Sequence, residues 1–322
     1  MLRISVWLLP TLILWGGFFI IIFLIGEHHF WYWKDFRKRA AVLFVLVAVI
    51  FGMWVVHRTP PRYVYFGNRR VYTSVTSLQV HIHRPNDIQL LRYFTNLREL
   101  TITGEIHTFE PLSNLRRLTV LRVPHGGLTN NIRPLRNLTN LTVLYLPRTA
   151  VRDISVLSRL TNLTELTLAV AWLDDMTPLE NLTNLTYLNL WSPRGDLTSL
   201  ASLTNLTHLE LRYFHLTDIT PLENLINLTN LQIYGMRYVT LYDITPLSNL
   251  TNLTYLTLFG QNINDIHPLS SLTNLTHLYL ALNNIECIRA LENLVNLIRV
   301  ELWGNNIDDW TPVEHVPLVI RH

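Results

Sequence analysis

The sequence predicts an α/β solenoid, in which short parallel strands line one side and short helical or 3₁₀ segments line the other. The first supporting observation is a segment, Leu-Thr-Asn-Leu-Thr-x-Leu-x-Leu, that recurs at Leu160, Leu182, Leu203, Leu250 and Leu272. The second is the spacing of these copies, because a fixed period of this size is typical of repeat proteins. The third is that no single unit can bury its own apolar face, so stacking must supply the core.

Eleven units follow one another, and seven of them are 22 residues long. They begin at Tyr72, Phe94, Leu115, Leu138, Leu160, Leu182, Leu203, Leu225, Leu250, Leu272 and Leu294. Within a unit, Leu278-Tyr279-Leu280 alternates buried and exposed positions, which predicts one short strand in each turn. Each unit therefore contributes one strand to a parallel sheet on the concave face.

The second half of each unit predicts the convex side of the solenoid. Its pattern is Asp-Ile-x-Pro-Leu, as in Asp218 to Leu222 and Asp265 to Leu269. An Asp that accepts backbone N–H groups, followed by a proline near the start of a turn, favours a capped short helix or 3₁₀ segment.

Together, these two segments resemble the leucine-rich repeat family, in its bacterial internalin-like subclass with 22-residue repeats. The resemblance extends from Tyr72 to His315 and implies a curved, right-handed horseshoe of about eleven turns that recognises proteins. The asparagine with which the family bridges neighbouring turns occurs at Asn283 and Asn305, with Gln261 as a possible substitute. Other residue types hold this place in the remaining units, so we expect less regular turns there.

Two apolar runs precede the repeats and predict a transmembrane hairpin. Ile4 to Gly26 is an uncharged run of 23 residues, and Ala40 to Val56 is a second run of 17. The first is long enough to cross a bilayer and the second is at the lower limit. Trp31 to Trp33, between the runs, suit a membrane interface. The alternative is a buried hairpin of a soluble domain.

The predicted domain organisation follows from these boundaries. Residues 1–57 form the hairpin, with spans 4–26 and 40–56, and residues 58–71 form a linker or N-terminal cap, in which Arg62 to Arg70 lay an extended strand over the first unit. The repeat domain is 72–315, and residues 316–322 are a tail. No capping domain is recognisable for the last turn, which leaves the tail, self-association or a partner to cover it.

The distribution of charge near the membrane gives a predicted orientation. Lys34, Arg37, Lys38 and Arg39 lie in the loop between the runs, which favours a cytoplasmic loop and repeats on the other side of the membrane. Arginines close to the outer ends of both runs oppose this count. Because the related repeats are typically exported, we expect an extracytoplasmic repeat domain on a bacterial cell membrane. Ten Asn-Leu-Thr sequons are explained by the repeat itself.

Composition argues against nucleic-acid binding and catalysis. Beyond residue 57 the chain has 21 basic and 21 acidic side chains, so it lacks the overall positive charge that phosphate binding needs. The single cysteine, Cys287, excludes a cysteine-based zinc site. No catalytic motif occurs, and we expect no enzyme activity, no catalytic residue, no cofactor and no metal.

The candidate binding residues lie in the strands, at positions that face the concave surface. One column of such positions contains no aromatic residue in its first five units but four in its last six. The predicted partner-binding residues in and beside this column are Tyr187, Trp191, Glu210, Arg212, Tyr213, Tyr234, Tyr255, Phe259, Tyr279, Arg299, Glu301 and Trp303. The loop Met236 to Tyr238 could overhang them. Trp, Tyr and Arg dominate measured hot spots, which favours a protein ligand.

Three alternatives to this functional prediction remain. The rings could simply stack along the ladder and stabilise the sheet. The chain could be a cytosolic adaptor or regulatory subunit of an enzyme, or a membrane scaffold that acts through its hairpin. The membrane topology separates the second alternative from the prediction, because it decides which molecules reach the concave face.

Overall fold

The computed structural model describes residues 61–125, 129–170, 175–191, 196–212, 216–235 and 241–321, together with residues 44, 45, 47 and 48. The chain divides into two compact units, Met1–Pro60 and Pro61–His322. The four described residues of the first unit are helical. Apart from these four, the predicted spans 4–26 and 40–56 lie outside the described residues. No described helix has the length and apolar character needed to cross a bilayer.

The second unit is the predicted solenoid, and one long parallel sheet runs through it. The described strands are β1 (Tyr63–Phe66), β2 (Arg69–Tyr72), β3 (Ser77–Ile82), β4 (Glu99–Gly104), β5 (Val120–Arg122), β6 (Val143–Val151), β7 (Glu165–Val170), β8 (Tyr187–Trp191), β9 (His208–Arg212), β10 (Asn230–Tyr234), β11 (Tyr255–Phe259), β12 (His277–Tyr279), β13 (Arg299–Glu301) and β14 (Leu318–Ile320). Strands β3 to β14 form a twelve-stranded sheet in sequence order. Equivalent leucines pair across it, as Leu209, Leu231 and Leu256 do. The prediction of a leucine-rich repeat solenoid is confirmed.

Short 3₁₀ segments lie between successive strands. Their bounds are Pro85–Tyr93, Glu110–Leu112, Arg133–Asn137, Ser155–Arg159, Thr177–Leu179, Thr198–Leu200, Thr220–Leu222, Thr245–Asn249, His267–Ser271, Arg289–Leu291 and Thr311–Val313. In most of the later turns the repeated Asp fixes the start of the segment: Asp218 Oδ1 accepts the Thr220 N–H at 2.8 Å, and Asp243 accepts the Thr245 N–H in the same way. Hydrogen bonds from the side chain and then from the backbone N–H of the following threonine lower the pKa of both aspartates below the ordinary value, because they favour the charged form.

The leucines of successive turns form one continuous core. Leu272, Leu275, Leu278 and Leu280, which occupy the first, fourth, seventh and ninth positions of one unit, are all fully buried. Each leucine removed from water contributes about 2 kcal/mol of hydrophobic stabilisation. Because every turn buries this set against its neighbours, stability is shared along the stack.

The polar residues of the repeat connect neighbouring turns on the outside of this core. Asn184 Nδ2 donates to the Thr161 carbonyl oxygen at 2.9 Å, and Thr186 Oγ1 donates to the Thr164 carbonyl oxygen at 3.2 Å. The same asparagine bond occurs at Asn140, Asn162, Asn205, Asn227, Asn252, Asn274 and Asn296. The Asn and Thr of these sequons therefore have a structural role in the repeat.

The family asparagine bridges turns inside the core. Asn283 Oδ1 accepts the N–H groups of Gln261 and Ile263 at 3.0 and 3.1 Å, and its Nδ2 donates to the carbonyl oxygens of Leu258 and Leu280 at 2.8 and 2.9 Å. Asn305 repeats this one turn later. Gln261 fills the preceding position and is fully buried, although it donates to Phe259 within its own turn.

A β-hairpin adjoins the first turns. The single extended strand expected over Arg62 to Arg70 is instead divided by a two-residue turn into β1 and β2, which are antiparallel, so that Val64 pairs with Val71. Val64, Phe66 and Val71 belong to the main core, and the Phe66 ring lies 6.1 Å from that of Phe94.

The tail extends the other end of the stack. Strand β14 pairs with β13, and Val316 is buried beneath it. The tail, self-association and a partner were the three expected coverings of the last turn. In the described residues, the tail adds a further strand there.

Replacing Asn283 by Ala is expected to destabilise residues 61–322 by about 3 kcal/mol, because the N–H groups of Gln261 and Ile263 and the carbonyl of Leu258 lose this hydrogen bond, while the Leu280 carbonyl keeps its bond from Asn305. Urea unfolding followed by circular dichroism measures this loss. Asn284→Ala is the control, since Asn284 is exposed and should change the free energy of unfolding by less than about 0.5 kcal/mol. Equal effects of the two substitutions would contradict the bridging role.

Candidate functional site

Strands β8 to β13 bring three columns of outward positions into register. Trp191, Arg212, Tyr234 and Phe259 pair directly across adjacent strands. The column continues through Ala281 to Trp303, because the Leu282 N–H donates to the Trp303 carbonyl oxygen at 2.9 Å. Of the predicted site residues, Tyr213 lies outside the described residues, as do residues 236–238. Ten of the other eleven occupy outward positions of these six strands, and Trp303 follows β13 by two residues.

A stacked guanidinium forms the centre of this surface. The Cζ atom of Arg212 lies 5.3 Å from the Trp191 ring centre and 4.7 Å from that of Tyr234. Its Nε donates to Glu210 Oε1, while Glu210 Oε2 accepts a hydrogen bond from Asn189. Trp191 Nε1 donates to Asn189 Oδ1 at 2.8 Å. Five side chains on three neighbouring strands thus hold one another in place.

The aromatic residues continue from this centre towards the C-terminus. The Tyr234 ring lies 6.4 Å from Phe259, whose ring meets Trp303 edge-on at 5.9 Å. The Tyr234 hydroxyl donates to Gln232 Oε1 at 2.9 Å. Burial raises the pKa of Tyr234, because it disfavours the charged phenolate. Tyr234 is therefore a neutral hydrogen-bonding group at physiological pH.

A second aromatic group lies beside the first on the same strands. The rings of Tyr255 and Tyr279 are 5.1 Å apart, and Tyr255 also stacks on His277 at 5.9 Å. The Arg299 guanidinium lies 5.6 Å from the Tyr279 ring centre, and its Nε donates to Glu301 at 2.9 Å. The arrangement of Arg212 and Glu210 is thus repeated four strands away.

Sequence reasoning missed four polar residues of this surface and one apolar residue. Asn189, His208, Gln232 and His277 occupy outward strand positions between the predicted residues. The repeat register could have identified them, since it assigns every outward position.

The missed apolar residue is Leu282, which follows the aromatic column and is 37% exposed. It has φ of 58°, whereas its equivalents in the neighbouring turns are Gly260 and Gly304, with φ of 67° and 73°. A leucine in this left-handed conformation costs about 1–2 kcal/mol. The leucine at this exposed position beside Trp303 therefore lowers the stability of the fold, whereas the glycines of the neighbouring turns adopt the same conformation without this cost.

The site combines paired charges with partly exposed aromatic rings. Both arginines are paired with glutamates, and the rings are partly exposed across six strands that span about 24 Å. Within the part of the chain that the structure describes, no three His, Cys, Asp or Glu side chains come together as a metal site.

Comparison with solved structures identifies the family. An internalin of Listeria monocytogenes, inlF, is 31% identical to this chain, with a TM-score of 0.62 over 78% of this chain and 89% of its own. The chain belongs to the internalin family. A second internalin of the same species, inlC2, is 34% identical over 58% of this chain and 83% of its own, with a TM-score of 0.54.

A more distant similarity extends to plants. The leucine-rich repeat ectodomain of the Arabidopsis thaliana receptor kinase GASSHO1/SCHENGEN3 has a TM-score of 0.56 at 21% identity, over 71% of this internalin and 33% of that chain. At this identity the likeness shows the fold alone. No protein-family model and no curated protein sequence matches the chain.

The Glu210 and Arg212 pair is expected to show a coupling energy of about 1 kcal/mol in a double-mutant cycle, because Glu210 is 13% exposed and Arg212 is 35% exposed. The cycle compares Glu210→Ala, Arg212→Ala and the double variant by urea unfolding. Thr207→Ala with Arg212→Ala is a control cycle, with an expected coupling near zero. A coupling below about 0.3 kcal/mol for Glu210 and Arg212 would contradict a preorganised centre.

Proposed function

We propose that this internalin is a membrane-anchored recognition protein that binds a protein ligand with the concave face of its C-terminal half. The observation that carries the proposal is the interlocked surface around Arg212, in which the guanidinium is stacked between Trp191 and Tyr234 and fixed by Glu210. Such a surface suits binding because its side chains lose little conformational freedom when a partner arrives.

The residue types on this surface support a protein ligand. Trp, Tyr and Arg are enriched in binding hot spots, because they combine a large apolar area with a polar group. The earlier half of the column contains His81, Thr103, Pro124, Pro147 and Ala169 instead. This contrast between the two halves favours a ligand on strands β8 to β13.

The alternative role of the rings, stabilisation of the sheet, explains part of the same geometry. The ring pairs Tyr234 with Phe259 and Tyr255 with Tyr279 do contact each other across strands. However, stacking for stability alone does not require these rings to remain partly exposed. The exposed Leu282, in a conformation that glycine adopts in both neighbouring turns, also favours binding over stability.

The solved relatives support recognition by this fold. The Arabidopsis ectodomain was crystallised in complex with CASPARIAN STRIP INTEGRITY FACTOR 2. Because that likeness is one of fold, it supports the use of a leucine-rich repeat surface for binding and does not name the ligand of this internalin.

Trp191→Ala is expected to weaken ligand binding about 30-fold or more, because it removes one side of the Arg212 stack and the largest ring of the centre. Cross-linking of the full chain in native membranes identifies the captured protein, and titration of that protein gives the affinity. The combined variant of Trp191, Tyr234, Phe259 and Trp303 to Ala should abolish capture.

The matched control for this experiment is the combined variant His81→Ala and Thr103→Ala, in the same column but in the first two strands of the sheet. It should retain the wild-type affinity. If the aromatic variants keep their fold by circular dichroism and still capture the same protein, the concave face is not the binding site. Capture by the hairpin grafted to an unrelated soluble domain would instead favour the scaffold alternative.

Cys287 provides a test of the proposed extracytoplasmic location, because it is the single cysteine of the chain and is exposed. A membrane-impermeant maleimide is expected to label it in intact cells, with no increase after permeabilisation. Cys287→Ser is the control for background labelling. Labelling only after permeabilisation would favour the cytosolic adaptor.

A further inference from the structure

The formal neutrality of the repeats conceals two strongly charged halves of opposite sign. Residues 61–160 contain fourteen arginines and five acidic residues, a formal charge of +9. Residues 161–321 contain six arginines and sixteen acidic residues, a formal charge of −10. The solenoid is therefore positive in its N-terminal half and negative in its C-terminal half. These charges nearly cancel in the net charge of the whole domain.

The positive charge of the N-terminal half is available at the surface. All fourteen arginines are exposed. Two of them form ion pairs with described residues, Arg84 with Asp87 and Arg133 with Asp153. The exposed arginines lie on several sides of the turns, since Arg122 is in strand β5, Arg136 is in a 3₁₀ segment and Arg116 is in the turn before a strand.

The fold does not require this charge. In later turns an Asp accepts the N–H at the start of the 3₁₀ segment, but Thr108 and Asn131 make the same bond in the N-terminal half. Arg98 and Arg117 occupy the repeat positions of the bridging Thr and Asn. In the N-terminal half, neutral hydrogen-bond acceptors thus replace the acidic ones of the repeat, and arginines replace its neutral residues. Both kinds of replacement raise the positive charge, and the repeat pattern requires neither.

We infer that the N-terminal turns bind the anionic headgroups of a lipid bilayer and so hold the C-terminal concave face away from the membrane. This inference rests on the proposed membrane anchor, because the positive half is the half that the chain joins to the apolar runs. An arginine close to an anionic membrane strengthens binding about fivefold, and the effect fades within a Debye length of about 8 Å.

Because the solenoid is long, its charge asymmetry favours one orientation of the repeat domain relative to the membrane. Twelve strands at about 4.8 Å extend roughly 53 Å, which is several Debye lengths. With the positive end at the bilayer, the acidic half lies beyond the reach of the surface potential. A tilted solenoid would bring the acidic half towards anionic headgroups and meet repulsion. The aromatic surface on β8 to β13 lies within the acidic half and is thereby kept accessible to a ligand.

Binding of residues 61–322 to vesicles tests the electrostatic step without the apolar runs. This unit has its own core, the β1–β2 hairpin packed into that core and β14 extending the other end of the sheet. We expect it to sediment with phosphatidylcholine vesicles that contain phosphatidylglycerol, although the charge from 61 to 321 sums to −1. Vesicles of phosphatidylcholine alone should not bind it, and added salt should release it.

Two double variants with equal changes in net charge separate asymmetry from total charge. Arg69→Glu with Arg92→Glu, two exposed positions close to the first strand of the sheet, should weaken vesicle binding at least about tenfold. Arg289→Glu with Arg321→Glu, in the acidic half, should leave it unchanged. Equal effects of the two variants, or no binding to phosphatidylglycerol at low salt, would overturn the inference. Equally tight binding of a short DNA duplex at the same salt would reveal a general polyanion site instead.

The full chain in nanodiscs that contain phosphatidylglycerol tests the orientation. A fluorophore on Cys287, in the acidic half, should escape a quencher attached to lipid headgroups. The same fluorophore on Thr95→Cys in a Cys287→Ser background should be quenched, since Thr95 is exposed in the positive half. Equal quenching at both positions would refute an upright solenoid. If residues 61–322 do not bind anionic vesicles while the full chain remains membrane-bound, the inference is wrong, whereas the proposed membrane anchor is supported.

Discussion

The burial of each turn's leucines against the next turn is the constraint on which this structure depends. One unit has too few inward side chains to form a core by itself, so every strand must find its partner one repeat away. The parallel sheet and the in-register columns follow from this requirement. It also means that a polar group between turns is costly unless a neighbouring turn satisfies it, which explains the positions of Asn283 and Asn305.

The repeat therefore separates residues that must be constant from residues that are free to vary. Asn184 and Thr186 bond the preceding turn, and Asp218 fixes the start of a 3₁₀ segment. Outward strand positions make neither of these structural hydrogen bonds. They can differ from turn to turn without loss of the fold, so the chain can carry an aromatic surface in one half and arginines in the other.

The same freedom connects the two proposals. The acidic half contains the stacked Arg212 and the rings beside it, and the positive half is the one that follows the apolar runs. A solenoid is well suited to this division because its two ends are far apart and its turns keep a fixed order. Anchoring and recognition would then occupy separate stretches of one rigid stack.

The fold could be predicted from the amino-acid sequence alone, because the leucine period fixes both the strand positions and their register. Counting within the repeat also identified the column from Trp191 to Trp303, and the resemblance to the family implied the bridging role that Asn283 has. The sequence did not show that Tyr63 to Phe66 pairs with β2 in a hairpin, or that the tail adds β14, because both depend on which edge is left open in space.

The contacts between the site residues could not be predicted from the repeat pattern and are seen in the three-dimensional structure. The stacking of Arg212 between Trp191 and Tyr234, and the network through Asn189, depend on side-chain rotamers across three strands that a one-dimensional pattern does not specify. The positive φ of Leu282 is a property of the turn geometry that its neighbours Gly260 and Gly304 share. The repeat period fixes the backbone position of each side chain, whereas packing against neighbouring strands fixes its rotamer and therefore its contacts.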